Sequence, residues 1–181
     1  MLTAEGFSSI VLTPGRNAQE LTKLGYELAK AKEEVCIMDP YLTRTKEIFA
    51  YLTRWIKRGV KIRIITARVV SSELKKVLTD YRNKGFLIAP VLRYFDREKK
   101  TGKETILHDR YIIIDRRRVV KLGKGINTII EAFTYEAKNN VIVDIIEIPS
   151  IVEQYVRNFE QFWNYENIEN KVIREFPKEV Y

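Results

Sequence analysis

Runs of apolar residues, alternating or continuous, predict strands along much of the chain. In residues 60–66 (VKIRIIT), Lys61 and Arg63 share one face, which is the period of two expected of a strand. Residues 35–39 (VCIMD) are instead a compact apolar run, as in a strand buried on both faces. Similar runs predict the remaining strands at 9–13, 86–95 with a break at Pro90, 110–115, 118–122 and 140–146.

Apolar residues spaced three or four apart predict helices between these strands. Within residues 44–58, Ile48 and Leu52 lie on one inward stripe and the basic residues face outward. Gly59 then ends this helix. The same spacing predicts four more helices, at about 17–32, 71–84, 126–137 and 150–166.

The order of these elements predicts the fold class. Strand and helix alternate over the first 95 residues, which favours an α/β fold with a mostly parallel sheet flanked by helices. A hairpin over 110–122, turning at residues 115–117, adds antiparallel pairing and makes the sheet mixed. No repeat, Pro-rich linker or low-complexity run interrupts the 181 residues, which are enough for a buried core. Residues 1–181 are therefore expected to form one domain.

The chain carries a formal net charge of +8, and its basic residues are concentrated in the middle. Residues 43–64 contain seven Lys or Arg against one acid, and residues 97–124 contain ten against four. The region from 144 onward is acidic on balance, so one face of the protein is expected to be positive. Such a face suits nucleic acid or an anionic membrane surface, although a basic protein without a polyanion partner has the same composition.

Targeting segments and cysteine use bear on the cellular location. No apolar stretch reaches the roughly 18 residues of a spanning helix, and the N-terminal residues lack the features of a signal peptide. The single Cys36 lies in an apolar run and is predicted to be a buried thiol. These features predict a cytoplasmic protein. The abundance of Lys, Glu, Ile and Tyr resembles the composition of thermophile proteins.

The only histidine, His108, stands at the start of a predicted strand in the stretch LHDRYIIID. Since side chains alternate along a strand, His108 and Arg110 are expected to point to the same face. An imidazole can attack phosphorus or move a proton near neutral pH, and a guanidinium can bind two phosphate oxygens. The pair suggests phosphate chemistry, but a histidine that caps a strand by bonding to backbone is equally compatible with the spacing.

A glycine-containing segment follows the predicted hairpin. Gly123, Gly125 and Asn127 lie where the next helix begins, and free backbone N–H groups at a helix start can hold an anion. Tyr41 follows the strand 35–39, at the edge of the sheet where α/β sites usually lie. Tyr41 is therefore expected either to line the pocket or to pack beside it.

Taken together, H-D-R-x4-D at 108–115 and G-K-G-I-N at 123–127 resemble the HxK(x4)D and GSxxN motifs of the phospholipase D superfamily. The flanking strands and helices resemble this superfamily over most of the chain. The resemblance implies a phospholipase D-like fold and a reaction that needs no metal or other cofactor. It implies a catalytic set of His108 as the nucleophile with Arg110, Asp115 and Asn127. It also implies a phosphate-binding set of Arg110, Gly123, Lys124, Gly125 and Asn127.

Three positions depart from the superfamily pattern. Arg110 stands where the family has Lys, and Lys124 stands where it has Ser. Asn139 replaces a Glu that often orients the histidine, so the imidazole would be less strongly positioned. The HDR form and the Gly-x-Gly after the hairpin also resemble one branch, the phospholipase D-like C-terminal domain of proteins with microtubule-interacting and trafficking modules. That resemblance implies binding of membrane phosphoinositides rather than cleavage.

These resemblances leave two principal functions open. The first is a phosphodiesterase, expected to be a nuclease, in which one histidine attacks phosphorus and a second protonates the leaving oxygen. Because each chain has one histidine, this mechanism requires a homodimer in which two copies of His108 face each other. The second is a non-catalytic module that binds the phosphates of nucleic acid or of an anionic, phosphoinositide-containing membrane. A decayed site on a surface for protein partners remains a further alternative.

Overall fold

The structure is a computed structural model that describes residues 5–13, 18–67, 72–89, 91–94, 107–134, 139–164 and 172–175. The strands are β1 (Phe7–Leu12), β2 (Glu34–Met38), β3 (Lys61–Thr66), β4 (Leu87–Ile88), β5 (Val91–Tyr94), β6 (Tyr111–Ile114), β7 (Arg118–Leu122), β8 (Val141–Ile146) and β9 (Val172–Glu175). The helices are α1 (Ala18–Ala29), α2 (Thr45–Trp55), α3 (Ser72–Asn83), α4 (Asn127–Phe133) and α5 (Pro149–Asn164).

Each strand and helix predicted from the apolar pattern has a counterpart in the structure. The predicted strand 86–95 is divided into β4 and β5 on either side of Pro90, which itself lies outside the described residues. The end of the predicted helix 126–137 also lies outside them. The sequence pattern did not predict β9, which pairs with β5.

Within the described residues, nine strands form one sheet in the order β1-β8-β7-β6-β2-β3-β5-β9, with β4 paired to β3. The expected mixed α/β architecture with flanking helices is confirmed. The expectation that most of the sheet is parallel needs correction, because five of the eight pairings are antiparallel. Parallel pairing is confined to β3 with β2, β4 and β5.

The difference arises from where β1 lies. Alternation of strand and helix suggested that β1 would join the parallel strands, but it runs antiparallel to β8 at the edge of the sheet, from Phe7 opposite Ile146 to Leu12 opposite Val141. The pairs β8–β7, β7–β6 and β6–β2 then follow antiparallel. Local patterning predicts strands well, but it does not determine which strand a given one pairs with.

The sheet separates two apolar layers. Helices α1 to α4 cover one face, and α5 covers the other. Along β6 the side chains alternate between these layers, so Ile112 and Ile114 contact the first while Tyr111 and Ile113 contact the second. The main helical contributions are Leu24, Phe49, Leu78 and Ile129 to the first layer, and Val152 and Phe159 to the second. In the described part of the chain, no helix is both long and apolar enough to cross a membrane.

The pairing of β2 with β6 determines where the candidate site lies. The two strands are antiparallel, with Met38 opposite Tyr111 and Val35 opposite Ile114. The carboxyl end of β2 therefore lies beside the amino end of β6, which His108 and Arg110 precede. The turn after β6 lies at the other end of the sheet.

Candidate active site at the carboxyl end of β2

The segment 107–110 brings the histidine to the end of the sheet. Leu107 is buried and fixes the start of the segment, and the carbonyl oxygen of Arg110 accepts a hydrogen bond from Leu122 N at 3.0 Å. His108 and Asp109 between them are exposed. Among the described residues, none donates to or accepts from the His108 ring. Within that part of the chain, the ring is therefore not engaged as a cap of the strand.

Arg110 is half-buried beside this histidine and is held by two contacts. Its Nη1 donates to the carbonyl oxygen of Gly123 at 3.2 Å, and its guanidinium lies 5.3 Å from the centre of the Tyr41 ring. Its Nε–H is buried and has no acceptor among the described residues. A buried unpaired donor is unfavourable. The guanidinium is only half-buried, and such a group can bind two phosphate oxygens. Tyr41 therefore lines the site, as one of the two sequence interpretations expected.

The glycine segment packs closely against Arg110. Gly125 has φ +96°, a conformation that side chains other than glycine rarely adopt. A Cβ added there would lie 2.7 Å from Asp39 Oδ2 and 3.1 Å from Arg110 Cδ. Gly123 is exposed, and a Cβ added to it would meet only Ile142 O at 3.9 Å. Lys124, between the two glycines, is exposed and adds a positive charge at the rim of the site.

Asp39, directly after β2, joins the two loops of the site. It is buried, and its Oδ2 accepts from Ile126 N at 2.6 Å while its Oδ1 accepts from Tyr41 N at 2.8 Å. Burial raises the pKa of Asp39, and the two backbone donors and the nearby Arg110 charge only partly oppose this shift. From the sequence, Asp39 is recognisable only as the end of a strand. The available signal was an acidic residue that immediately follows a buried apolar run.

Asn127 is already engaged by protein groups. Its Oδ1 accepts from Thr43 N at 3.2 Å, and its Nδ2 donates to Tyr41 O at 2.8 Å. Some of the N–H groups expected to be free at this helix start are occupied as well. Ile126 N–H donates to Asp39, and Thr128 N–H donates to Gly125 O at 3.2 Å. Asn127 therefore lies at the site and ties α4 to the loop after β2.

Asp115 is the one residue of the expected catalytic set that lies elsewhere. It follows β6, so about seven residues at 3.3 Å each separate it from His108, on the order of 20 Å. Its carboxylate accepts from the backbone N–H groups of Lys32, Glu33 and Glu34 at 2.8 to 2.9 Å. Partial burial pushes the pKa of Asp115 upward, but these three donors outweigh it and lower the pKa.

The hairpin turn around Asp115 has an unusual backbone. Asp115 and Arg116 have φ values of 50° and 55°, as the two central residues of a hairpin turn with the matching twist require. Arg116 Nη1 donates to Glu160 Oε1 at 2.9 Å, and this contact helps to hold the turn against α5. Asp115 anchors the hairpin to the segment before β2.

The remaining candidate, Asn139, is exposed two residues before β8. Among the described residues, no hydrogen bond links it to His108. No group of three or more His, Cys, Asp or Glu that could hold a metal ion occurs in the described part of the chain. The site thus consists of an exposed imidazole, an oriented guanidinium and an exposed ammonium group, which together can bind and attack a phosphate.

Comparison with known families and structures gives a consistent relationship. Residues 24–163 match the family described as "Cardiolipin synthase, PLD-like domain". Comparison with curated protein sequences gives no match.

Solved structures share the fold at low identity. NucT from Helicobacter pylori is 15% identical with a TM-score of 0.60, and the alignment covers 87% of this chain and 96% of that one. The phospholipase D family member Nuc from Salmonella typhimurium is 19% identical with a TM-score of 0.61, covering 93% and 99%. TrmBL2, an archaeal chromatin protein described as having a novel mode of DNA binding, is 18% identical with a TM-score of 0.52, covering 91% and 54%. The matched residues and the shared fold together show that this chain belongs to the phospholipase D-like family.

Proposed function

We propose that this chain is a phosphodiesterase of the phospholipase D type that cleaves nucleic acid without a metal ion. The observation that carries the proposal is the exposed His108 ring close in the chain to Arg110, whose half-buried guanidinium is oriented by Gly123 O and the Tyr41 ring. Phosphate oxygens bound at Arg110 and Lys124 would place phosphorus beside the imidazole. A nucleic acid offers a phosphodiester to this site and, along its backbone, further phosphates to the rest of the basic surface.

The reaction would proceed in two steps, formation and then hydrolysis of a phosphohistidine. In the first, a neutral His108 nitrogen forms a bond to phosphorus while the bond to the leaving oxygen breaks, and that oxygen takes a proton from a second acid. In the second, water adds to phosphorus, the P–N bond breaks, and the same acid group, now a base, accepts the proton of the water. Arg110 and Lys124 stabilise the negative charge on the phosphate oxygens throughout. Asn127 and Asp39 hold the surrounding loops.

The second acid would be the His108 of another copy in a homodimer, since the chain contains a single histidine. An apolar surface next to the site supports this arrangement. Val11 and Ile142 are exposed and face each other across β1 and β8, and Phe7 is exposed two pairs further along the same face. Ile142 O lies near Gly123. A second copy packed on this face would cover the apolar side chains and bring two sites together.

The substrate class follows from charge. The net charge of +8 favours a polyanion, and Lys124 adds a cation at the pocket where the superfamily pattern has a neutral serine. A DNA-binding protein among the structures that share the fold also supports nucleic acid.

Two assays test the proposal. Cleavage of plasmid DNA and of bis(p-nitrophenyl) phosphate in EDTA should persist, and His108→Ala should lower the rate by about 10³-fold or more. Asp109→Ala is the matched control, since Asp109 is the exposed neighbour on the opposite face, and it should retain most activity. Unchanged cleavage by His108→Ala would refute the catalytic role. A strictly monomeric mass in solution, with full activity, would refute the two-histidine mechanism.

A non-catalytic phosphate-binding module is the second candidate. The observation that favours it is that the Asn127 amide is engaged with Thr43 and Tyr41, and that Asn139 makes no bond to His108 within the described residues. Under this alternative the protein binds nucleic acid or vesicles containing phosphoinositide, with no turnover of either. Binding that weakens steeply with salt, together with no cleavage by wild type, would support it.

A further inference from the structure

Four exposed basic residues lie at the end of the sheet opposite the site, and we call Lys57, Arg58, Lys61 and Lys84 the basic end patch. Lys57 and Arg58 precede β3, Lys61 is its first residue, and Lys84 precedes β4. Since β3 and β4 are parallel neighbours, the loops that enter them lie at the same edge. The Cδ of Arg58 is 3.7 Å from the position of a Cβ on Gly85, which brings the two loops into contact. All four side chains are exposed.

The charges of the basic end patch are only partly balanced by the exposed acids that adjoin it, Glu33 and Asp80, whose carbonyl oxygens accept from Lys61 N at 2.9 Å and Lys84 N at 3.2 Å. Within the described part of the chain, none of the four forms an ion pair. Glu34, which is opposite Lys61 in the sheet, directs its carboxylate to Arg63 at 2.9 Å. Lys84 Nζ lies 4.8 Å from the centre of the Tyr81 ring, a contact that leaves its charge in place. Four like charges gathered at one edge repel one another, and this repulsion would be relieved by a polyanion.

Helix stabilisation explains only part of the positive charge at this edge. Cations in the last turn of a helix interact favourably with its dipole, and Arg54 and Arg82 occupy the last turns of α2 and α3. The basic end patch lies beyond both helix ends. Lys84 directly follows α3 and its N–H still donates to Asp80 O at 3.2 Å, so the dipole accounts in part for this residue. Because the effect falls off within the last turn, it does not account for Lys57, Arg58 and Lys61.

We propose that the basic end patch is a second contact surface for the phosphate backbone of duplex nucleic acid, separate from the His108 site. It would bind without turnover and without reading sequence, by placing mobile cations against phosphates. Leu87 is the exposed apolar side chain beside the patch, opposite Lys61, which is little apolar surface with which to enter a membrane. These features favour nucleic acid over a lipid surface.

The distance between the two surfaces determines which substrates should sense the patch. The six residues of β3 separate the patch from the site end, which is on the order of 20 Å. This length corresponds to about six base pairs at 3.4 Å each. A duplex of 20 base pairs is long enough to be affected by the patch, whereas a small diester bound at His108 is not.

The test compares two double variants with the same change in charge. Lys57→Glu/Lys61→Glu alters the patch, and Lys23→Glu/Lys76→Glu alters two exposed lysines on α1 and in the first half of α3. Affinity for a fluorescent 20-base-pair duplex is measured by anisotropy between 50 and 200 mM salt in EDTA. The patch variant should bind about tenfold more weakly at low salt. The slope of the logarithm of its binding constant against the logarithm of salt concentration should be smaller in magnitude by about two. The control should lose less than about threefold through net charge alone.

Each other result contradicts the proposal. An equal loss in both variants would show that net charge alone governs affinity, and no loss in the patch variant would show that the patch does not contact the duplex. Loss of binding to phosphatidylglycerol vesicles with full retention of duplex binding would make the patch a membrane surface instead. Should charge reversal impair folding, Lys57→Gln/Lys61→Gln repeats the comparison with neutral side chains.

Failure of this proposal can be told apart from failure of the proposed activity. Hydrolysis of bis(p-nitrophenyl) phosphate should be the same in wild type and both double variants, because the small diester does not reach the patch. If wild type hydrolyses nothing, the proposed activity is wrong, but the duplex measurement still decides the role of the patch.

Discussion

Asp39 and Asp115 follow two antiparallel neighbours, β2 and β6, and so lie at opposite ends of the same pair of strands. Each carboxylate accepts backbone N–H groups: Asp39 from Tyr41 in its own loop and from Ile126, and Asp115 from three residues before β2. Their pKa values nevertheless move in opposite directions. Burial raises that of Asp39, while partial burial is outweighed at Asp115, where the three donors lower it.

The comparison indicates that burial, and not hydrogen bonding alone, sets the direction in which the pKa of each carboxylate moves. Asp115 stays partly exposed, so its charge remains solvated while the three donors favour it. Asp39 is removed from water beneath the glycine segment, so its charge is costly even with two donors and a guanidinium nearby. We therefore expect the carboxylate that anchors the hairpin to contribute to stability, and the one at the base of the candidate site to organise the loops at a cost.

The largest effect on stability is expected for Asp115→Ala. This change leaves the N–H groups of three backbone residues without their acceptor and puts alanine at φ 50°, where aspartate is better tolerated. The free energy of unfolding should fall by about 3 kcal/mol, roughly 1 kcal/mol for each lost charge-assisted bond at this partly exposed position. Urea denaturation measures the change.

Asp109→Ala serves as the control for this prediction, because Asp109 is exposed and has no hydrogen bond to a described residue. Its free energy of unfolding should change by less than about 0.5 kcal/mol. Equal effects of the two alanine substitutions would mean that Asp115 does not anchor the hairpin. Loss of diester cleavage by folded Asp115→Ala at low temperature would instead assign Asp115 a part in the chemistry.

The next largest effect is expected at the glycine segment over Asp39. Gly125→Ala forces a side chain into φ +96° and brings its Cβ to 2.7 Å from a buried carboxylate oxygen. The strain should destabilise the fold by about 2 kcal/mol and weaken phosphate binding, because the Cβ also crowds Arg110. Gly123→Ala is the matched control, with its nearest contact at 3.9 Å, and should cost less than about 1 kcal/mol. Similar losses in both variants, measured by denaturation and by phosphate titration, would contradict the close packing at Gly125.

The contrast between the two ends also shows how far sequence reasoning reaches. The strands and helices were predictable because each has a local apolar period, and β2 and β6 are short apolar runs that are almost fully buried. The antiparallel majority of the sheet was not predictable, because the pairing of β1 with β8 joins residues 129 to 139 positions apart, from Leu12 with Val141 to Phe7 with Ile146. Such pairings depend on the assembled sheet, and the local spacing of apolar residues carries no information about them.

The site itself was partly predictable. His108, Arg110 and the glycine segment follow from motif spacing, and the structure brings them to one end of the sheet. The position of Asp115 at the other end follows from the length of β6, since seven residues of extended chain cannot return to the same place. The role of Asp39 required the tertiary structure, because its partners at Tyr41 and Ile126 belong to loops that meet only after folding.

The same substitution, aspartate to asparagine, can be made at Asp39 and at Asp115 to compare the two carboxylates directly. Asp39→Asn removes one of two acceptors but also relieves the burial of a charge, so its free energy of unfolding should change by less than about 1 kcal/mol. Asp115→Asn relieves no such burial and should cost about 1.5 kcal/mol or more. Hydrogen exchange should be faster at Tyr41 or Ile126 in the Asp39 variant, whichever N–H loses its acceptor. Unchanged exchange at both would show that the carboxylate does not join the two loops.

The smallest effect is in the pH dependence of stability. The Asp115 pKa is lowered from its ordinary value of 3.8, so its contribution is present above that pH and is lost as pH falls through the lower folded value. The Asp39 pKa is raised, so its neutral form favours the fold below pH 3.8, and that contribution is lost as pH rises through the raised folded value. The free energy of unfolding of wild type, taken relative to that of Asp115→Asn, should therefore increase with rising pH below about 4. Taken relative to that of Asp39→Asn, it should decrease with rising pH above about 4. Each slope is at most about 1.4 kcal/mol per pH unit. Urea denaturation from pH 3 to 7 measures both, and slopes of the same sign would contradict the opposite environments of the two carboxylates.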